Sequence, residues 1–208
     1  MNQKIINQSL PKEVKVSFEF FPPTTKKSMS LLWKCIKRLQ PVRPSFVSVT
    51  YGAGGTTREH THETVVRIAK ETNMKSAAHL TCIGSNKNEI TAIAERYWQV
   101  GIRHIVALRG DASNGKNSNI PHPDGYDFAS DLVEGLKKVA DFEISVAAYP
   151  ECHPESKNQN EDLDNLQRKI DAGATRAITQ YFFDPNVYLR FLEQVRARGI
   201  HIPIIPGI

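Results

Sequence analysis

Short β-branched and aromatic runs alternate along this chain with longer segments of helical period. The unit returns roughly every thirty residues, the length of a strand, a crossover helix and their loops. The apolar runs predict strands at Val14–Phe21, Phe46–Tyr51, Ser76–Cys82, His104–Leu108, Ile144–Tyr149, Arg176–Phe183 and Ile202–Pro206. Helices are predicted at Ser28–Leu39, Thr61–Glu71, Asn88–Val100, Phe128–Ala140, Glu161–Ala172 and Pro185–Arg198. Asp184 before Pro185 makes an N-cap and first-turn pair, and Gly101, Gly173 and Gly199 stand where helix C-caps need glycine.

Repeated βα units imply parallel strands joined by right-handed crossovers, which leaves an open doubly wound sheet or a closed barrel. Residue parity separates them. Ser17 and Glu19 share one face of the first strand and Val16, Phe18 and Phe20 the other; Ser48 and Thr50 oppose Val47 and Val49 in the same way. An open sheet covered on both sides needs two apolar faces, and a dinucleotide binder needs a glycine fingerprint after its first strand, where this chain has Phe21-Pro22-Pro23. The expectation is an α/β (β/α)8 TIM barrel, apolar outward to the helices and mixed toward the lumen. Seven strands and six helices fall one strand and two helices short of closure, so residues 1–208 are expected to be a single, C-terminally truncated barrel domain with an N-terminal tail at 1–13.

Composition narrows the class. A chain of 208 residues with 40% hydrophobic content can bury one good core. It contains no run of about twenty apolar residues, and Met1–Lys15 lacks the pattern of an export signal, so a cytoplasmic location is expected and a membrane is not. Cys35, Cys82 and Cys152 are odd in number and far apart, which argues for reduced thiols and no metal cluster. The net charge of +5 is spread along helices without a basic run, an unpromising pattern for nucleic acid.

Barrel enzymes carry their chemistry at the carboxyl ends of the strands, and polar residues gather there: Glu19, Thr50, Tyr51, His79, Thr81, Arg109, Asp111, Tyr149, Glu151, His153, Gln180 and Asp184. Glu19, between two phenylalanines, is either a lumen carboxylate paired with Arg109 or a desolvated general acid that keeps its proton to higher pH. Asp111 begins a turn or serves the site, with Arg109 offering a fixed fork to an anion and Gly110 allowing close approach. His79 and His153 are packed or solvent-exposed histidines, or ligand contacts. Residues 112–127 read as a long loop at the same mouth, a lid or a surface insertion. Asp162, Asn165, Arg168 and Lys169 recur at helical spacing, a solvated face or an anion site.

The strings Ser17-Phe18-Glu19-Phe20-Phe21-Pro22-Pro23, Val49-Thr50-Tyr51-Gly52-Ala53, His79-Leu80-Thr81-Cys82, Ala107-Leu108-Arg109-Gly110-Asp111, Ala148-Tyr149-Pro150-Glu151, His153-Pro154-Glu155, Ile178-Thr179-Gln180 and Ile205-Pro206-Gly207-Ile208 are collinear. In that order the chain resembles the methylenetetrahydrofolate reductases, bacterial type. The resemblance implies a barrel holding FAD, reduced by NADH or NADPH, and a folate substrate carried from 5,10-methylene to 5-methyl for methionine synthesis. A homo-oligomer is the family habit.

Carried over by motif, Glu19 corresponds to the catalytic acid and Asp111 to a second catalytic residue beside flavin and pterin. Thr50, Tyr51, Ala53, His79, Arg109, Gly110, Asp111, Phe128, Ala129, Tyr149, His153, Ser156, Asp162, Asn165, Arg168 and Lys169 correspond to FAD contacts, with Arg168 and Lys169 at the pyrophosphate. Glu19, Thr50, Asp111 and Gln180 correspond to substrate contacts. Strand parity groups Gln180 with Ile178 and Phe182, so a lumen position for it requires a local twist or bulge. Thr24, the stretch from Gly54 to His60 and the longer loop at Asn114–Asp124 depart from the family pattern. The competing readings are a truncated barrel remnant that binds or assembles without turnover, and a basic nucleic-acid binder.

Overall fold

The computed structural model describes residues 14–51, 57–111 and 122–208; the tail at 1–13, Ala53 and the greater part of the 112–127 loop lie outside them. Among the described residues there are seven strands, β1 (Phe18–Phe20), β2 (Val47–Val49), β3 (Ser76–Thr81), β4 (His104–Leu108), β5 (Glu143–Ala148), β6 (Arg176–Thr179) and β7 (Ile204–Ile205). Helices α1 (Lys26–Leu39), α2 (Arg58–Glu71), α3 (Lys87–Gln99), α4 (Ala129–Val139), α5 (Gln159–Asp171) and α6 (Pro185–Ala197) fill the crossovers. All pairings are parallel and the spatial order is β1-β2-β3-β4-β5-β6-β7. A doubly wound sheet would reverse its strand order at a switch point. This one never does, so the architecture is a barrel wall.

Two separate apolar clusters follow from the alternation. Val49, Leu80, Ile105, Ala107, Ile144 and Val146 face the helices and meet Ile36, Ile68, Ile90, Leu136, Leu166 and Phe191 in the larger core. Each such side chain contributes about 1.5–3 kcal/mol by leaving water, so Leu136→Ala alone is expected to cost about 2–5 kcal/mol. On the inner face, Phe46, Ala77 and Val106 pack with Leu108 and Ile178. Ser48, His79, His104 and Ser145 are buried there too, the His104 ring 2.7 Å from the Ser145 hydroxyl.

Element ends depart from the sequence reading. β1 pairs only over Phe18–Phe20 and β7 only over Ile204–Ile205, because Pro22, Pro23, Pro203 and Pro206 supply no backbone donor. β6 stops at Thr179, not Phe183. Beyond it Phe182 stacks on Tyr188, and Tyr181 meets Phe183 edge-on, so these aromatics leave the ladder to pack with each other and with α6. α1 begins at Lys26, two residues early, since Thr25 and Ser28 form a reciprocal capping box. α2 starts at Arg58 and α5 at Gln159, where Asn158 caps the amide of Glu161. Asp184 does cap α6, and Gly101, Gly173 and Gly199 have positive φ.

Candidate active site

A cleft of about 540 Å³ opens past the carboxyl ends of β4, β5 and β6, roofed by the amino ends of α4 and α5. Every cofactor position expected from Arg109 to Lys169 lines it: Arg109, Gly110, Asp111, Phe128, Ala129, Tyr149, His153, Ser156, Asp162, Asn165, Arg168 and Lys169. Gln180 lines it as well. Thr50, Tyr51, His79 and Glu19 stand outside this lining, and Ala53 lies outside the described residues.

α5 supplies the charged wall. Its predicted stripe is not a solvated face, for Asp162 is 7% exposed and the Lys169 ammonium donates 2.6 Å to the carbonyl of Ala147 at the end of β5. Burial pushes the Lys169 amine down to about 8, against the pull of Asp162. Burial likewise raises the Asp162 carboxyl, although the His153 amide donates to it at 3.3 Å and the Ser156 hydroxyl at 3.5 Å. Arg168, one residue before Lys169, is exposed and bonds to Asn165.

β4 supplies the floor. Gly110 has φ +88°, and a Cβ there would sit 2.8 Å from Thr81 Cβ and 2.9 Å from Ile83 Cγ2, so only glycine fits. Arg109 is oriented by Glu155, whose carboxylate lies 2.7 Å from its guanidinium and raises its pKa. Tyr149 and His153 meet edge-on at 4.6 Å, forming an aromatic corner opposite. The amino end of α4, at Phe128 to Ser130, turns its positive dipole toward the same space, with the Phe128 amide itself donating 3.0 Å to the Asp131 carboxylate.

Deeper in the lumen, Glu19 on β1 approaches His79 on β3, with 3.2 Å between Oε2 and Nε2. The imidazole Nε2 does not reach strict hydrogen-bond alignment at this distance, yet His79 remains the main influence on the Glu19 carboxyl. Two expectations fail here. Glu19 does not pair with Arg109, which Glu155 has taken. Nor is its carboxyl raised: His79, and more weakly Ser48, hold it below the usual range, outweighing the opposing effect of burial, since its side chain is still 53% exposed. Thr50 holds the loop after β2, its amide donating to Phe20 and its carbonyl accepting from Thr61. Tyr51 packs against the outer core, and burial raises its phenol to about 12.

Gln180 corrects a premise. Its amide bonds the Ala148 carbonyl at 2.8 Å, one residue past β6, and Ile178 two residues earlier belongs to the inner cluster. The lumen itself is partly apolar, so parity with Ile178 puts Gln180 inward and needs no bulge. Glu155 joins the site beyond the expected residues, and the signal for it in the sequence is an acid two residues after His153 at the mouth where Arg109 ends β4. Cys35, Cys82 and Cys152 are free thiols.

A profile of the methylenetetrahydrofolate reductase family matches residues 3–208. The chain is 52% identical over 209 residues to 5,10-methylenetetrahydrofolate reductase of Salmonella typhimurium, covering 99% of this chain and 69% of that protein. It is 53% identical over 206 residues to the Escherichia coli protein of the same name, covering 98% and 68%. Among solved structures, phosphoenolpyruvate phosphomutase from Streptomyces platensis superposes with a TM-score of 0.66 at 14% identity, over 93% of this chain and 68% of that one. An uncharacterized Clostridium thermocellum protein that binds two copies of 5-methyl-5,6,7,8-tetrahydrofolic acid gives 0.62 at 13%, over 92% and 65%. At such identities these structures speak for the fold alone.

Proposed function

Because the chain belongs to the methylenetetrahydrofolate reductase family, we propose that it forms the site of an FAD-dependent oxidoreductase reducing 5,10-methylenetetrahydrofolate to 5-methyltetrahydrofolate with NADH or NADPH. One observation carries the reading: side chains from β4, β5, α4, α5 and the turn after β6 converge on a single cleft at the strand ends. The cleft suits a dinucleotide. It combines an amine buried beside backbone carbonyls, an exposed arginine, a helix amino end and a glycine floor that a Cβ would fill. The Thr81 hydroxyl, buried next to that floor without a partner, is a further polar group awaiting one.

In this reading Lys169, Arg168 and the amino end of α4 hold the pyrophosphate, while Arg109, Gly110, Asp111, Tyr149 and His153 border the flavin ring. FAD supplies two-electron transfer between the nicotinamide and the one-carbon unit. Asp111 and Gln180 orient the pterin, and Thr50 and Tyr51 shape the loop beside it. Glu19 gives its proton to the folate nitrogen that departs as the five-membered ring opens to the iminium. Its lowered pKa in the open mouth means the donating form must be restored when substrate displaces water and desolvates the carboxyl. The methyl product suits methionine synthesis, and no described helix is long and apolar enough to cross a membrane.

The test is direct: purified protein should show flavin absorbance after FAD addition and an FAD-dependent oxidation of NADH. Absence of both would remove the assignment.

A further inference from the structure

At the opposite, amino-terminal end of the sheet a second, open cavity of about 920 Å³ is lined by the segments that lead into β1 to β6. Five cations reach it from five different segments: Lys15 before β1, Arg43 before β2, Lys75 before β3, Arg103 before β4 and Arg176 at the start of β6. Among the described residues the one carboxylate in its lining is Glu143, and Arg176 already holds it. From the loops that converge there, we propose that this bowl is a binding site for a small organic anion, a phosphate or carboxylate on an apolar body, distinct from the cleft at the other end of the barrel.

Charge is the first argument. Five cations against one paired carboxylate give this lining an excess of positive charge, which favours an anion. Arg176 is pre-aimed: Glu143 fixes one end of its guanidinium, its plane lies 5.2 Å over the Phe46 ring, and Nη1 still has no hydrogen-bond partner. Arg103 is likewise braced, stacked at 3.8 Å on Trp98 and bonded to the carbonyls of Trp98 and Ile102. The Arg176 fork, with Lys15, Arg43 and Lys75 adding positive charge around the lining, is a donor set suited to a tetrahedral or planar anion.

Backbone conformation is the second. Arg43 is non-glycine at φ +53°, where its amide closes a turn onto the Gln40 carbonyl. A glycine would sit there without strain, so an arginine at this position carries a conformational cost. Its exposed side chain joins the rim of the bowl.

The apolar body follows from the remaining walls. Val14, Val16 and Val42 line the rim 81%, 38% and 53% exposed, and Phe46 and Met74 lie below them. A bare inorganic ion leaves these side chains wet; a ring or short chain attached to the anion covers them. His104 forms the floor as a neutral group, since burial pushes it down to about 4 and the Ser145 hydroxyl satisfies it. A concave volume of this size suits a small molecule better than a flat lipid surface.

Calorimetric titration of the purified protein with phenyl phosphate, with FAD present to fill the other mouth, tests this. Saturable one-to-one binding is expected, with inorganic phosphate and phenol each at least about tenfold weaker. Lys75→Glu and Arg43→Glu should each weaken phenyl phosphate by about tenfold or more while leaving FAD affinity unchanged. Arg43→Gly, which relieves the positive φ, should keep or raise the melting temperature and still weaken the anion. The proposal falls if no saturable binding appears below about 10 mM. It also falls if the charge reversals leave binding untouched, or if the protein associates only with vesicles of anionic lipid.

Discussion

His79 Nε2 stands 3.2 Å from Glu19 Oε2, across the lumen from one strand to another two places along the sheet. The acid proposed to donate a proton is thus held by the neighbour that most favours its ionised form. Replacing His79 by Asn removes the main influence lowering the Glu19 pKa, so the carboxyl titrates at a higher pH. Folate reduction needs the protonated form and is lost as pH rises through that value. The alkaline limb of the folate half-reaction is therefore expected to move upward in His79→Asn, read by stopped-flow with pre-reduced enzyme and with FAD occupancy measured alongside. A limb that stays put or moves down would show that His79 does not govern Glu19.

Glu19→Gln keeps the shape and removes the proton. Reduction of bound FAD by NADH should survive nearly unchanged, while folate reduction should fall by about two to four orders of magnitude, the usual worth of a general acid. Equal losses in both half-reactions would contradict the assigned role.

Gly110 joins fold to site. Alanine there must accept φ +88° and bring its Cβ within 3 Å of Thr81 and Ile83. Strain of this kind costs about 1–3 kcal/mol. Gly110→Ala should lower the melting temperature of the protein without ligand and weaken FAD binding by more than the stability loss predicts, because the floor of the cleft shifts upward. A variant with wild-type melting and wild-type FAD affinity would place Gly110 outside the site.

The barrel wall was legible because its cause is local: period-two runs and helix caps lie in adjacent residues, and the parallel order follows from their alternation. Strand ends were less so. Tyr181, Phe182 and Phe183 have the side chains of a strand, but stacking on Tyr188 and on one another outcompetes the ladder. The Gln180 conflict came from treating apolar as outward, when Val106 and Ile178 fill the inner layers as well. Ion pairs were the least legible, since Glu19 choosing His79 and Arg109 choosing Glu155 depends on strand stagger and loop path. Composition encodes neither.

Lys169 gives the last prediction. Its amine is buried, donates to the Ala147 carbonyl and titrates near 8, well below an ordinary lysine. Below that pH it is charged and attracts the pyrophosphate; above it the neutral amine contributes a hydrogen bond but no charge. An anionic ligand stabilises the charged form, so binding FAD must raise this pKa, and by linkage affinity must fall as pH climbs from about 7 to 9. Lys169→Met should bind FAD more weakly at pH 7, by about tenfold or more for a lost charge-assisted contact, and its affinity should be nearly flat over the same interval. Arg168 stays protonated throughout and cannot produce the slope. Fluorescence titration of FAD at several pH values separates the cases, and an equal slope in wild type and Lys169→Met would mean that the buried amine does not face the phosphates.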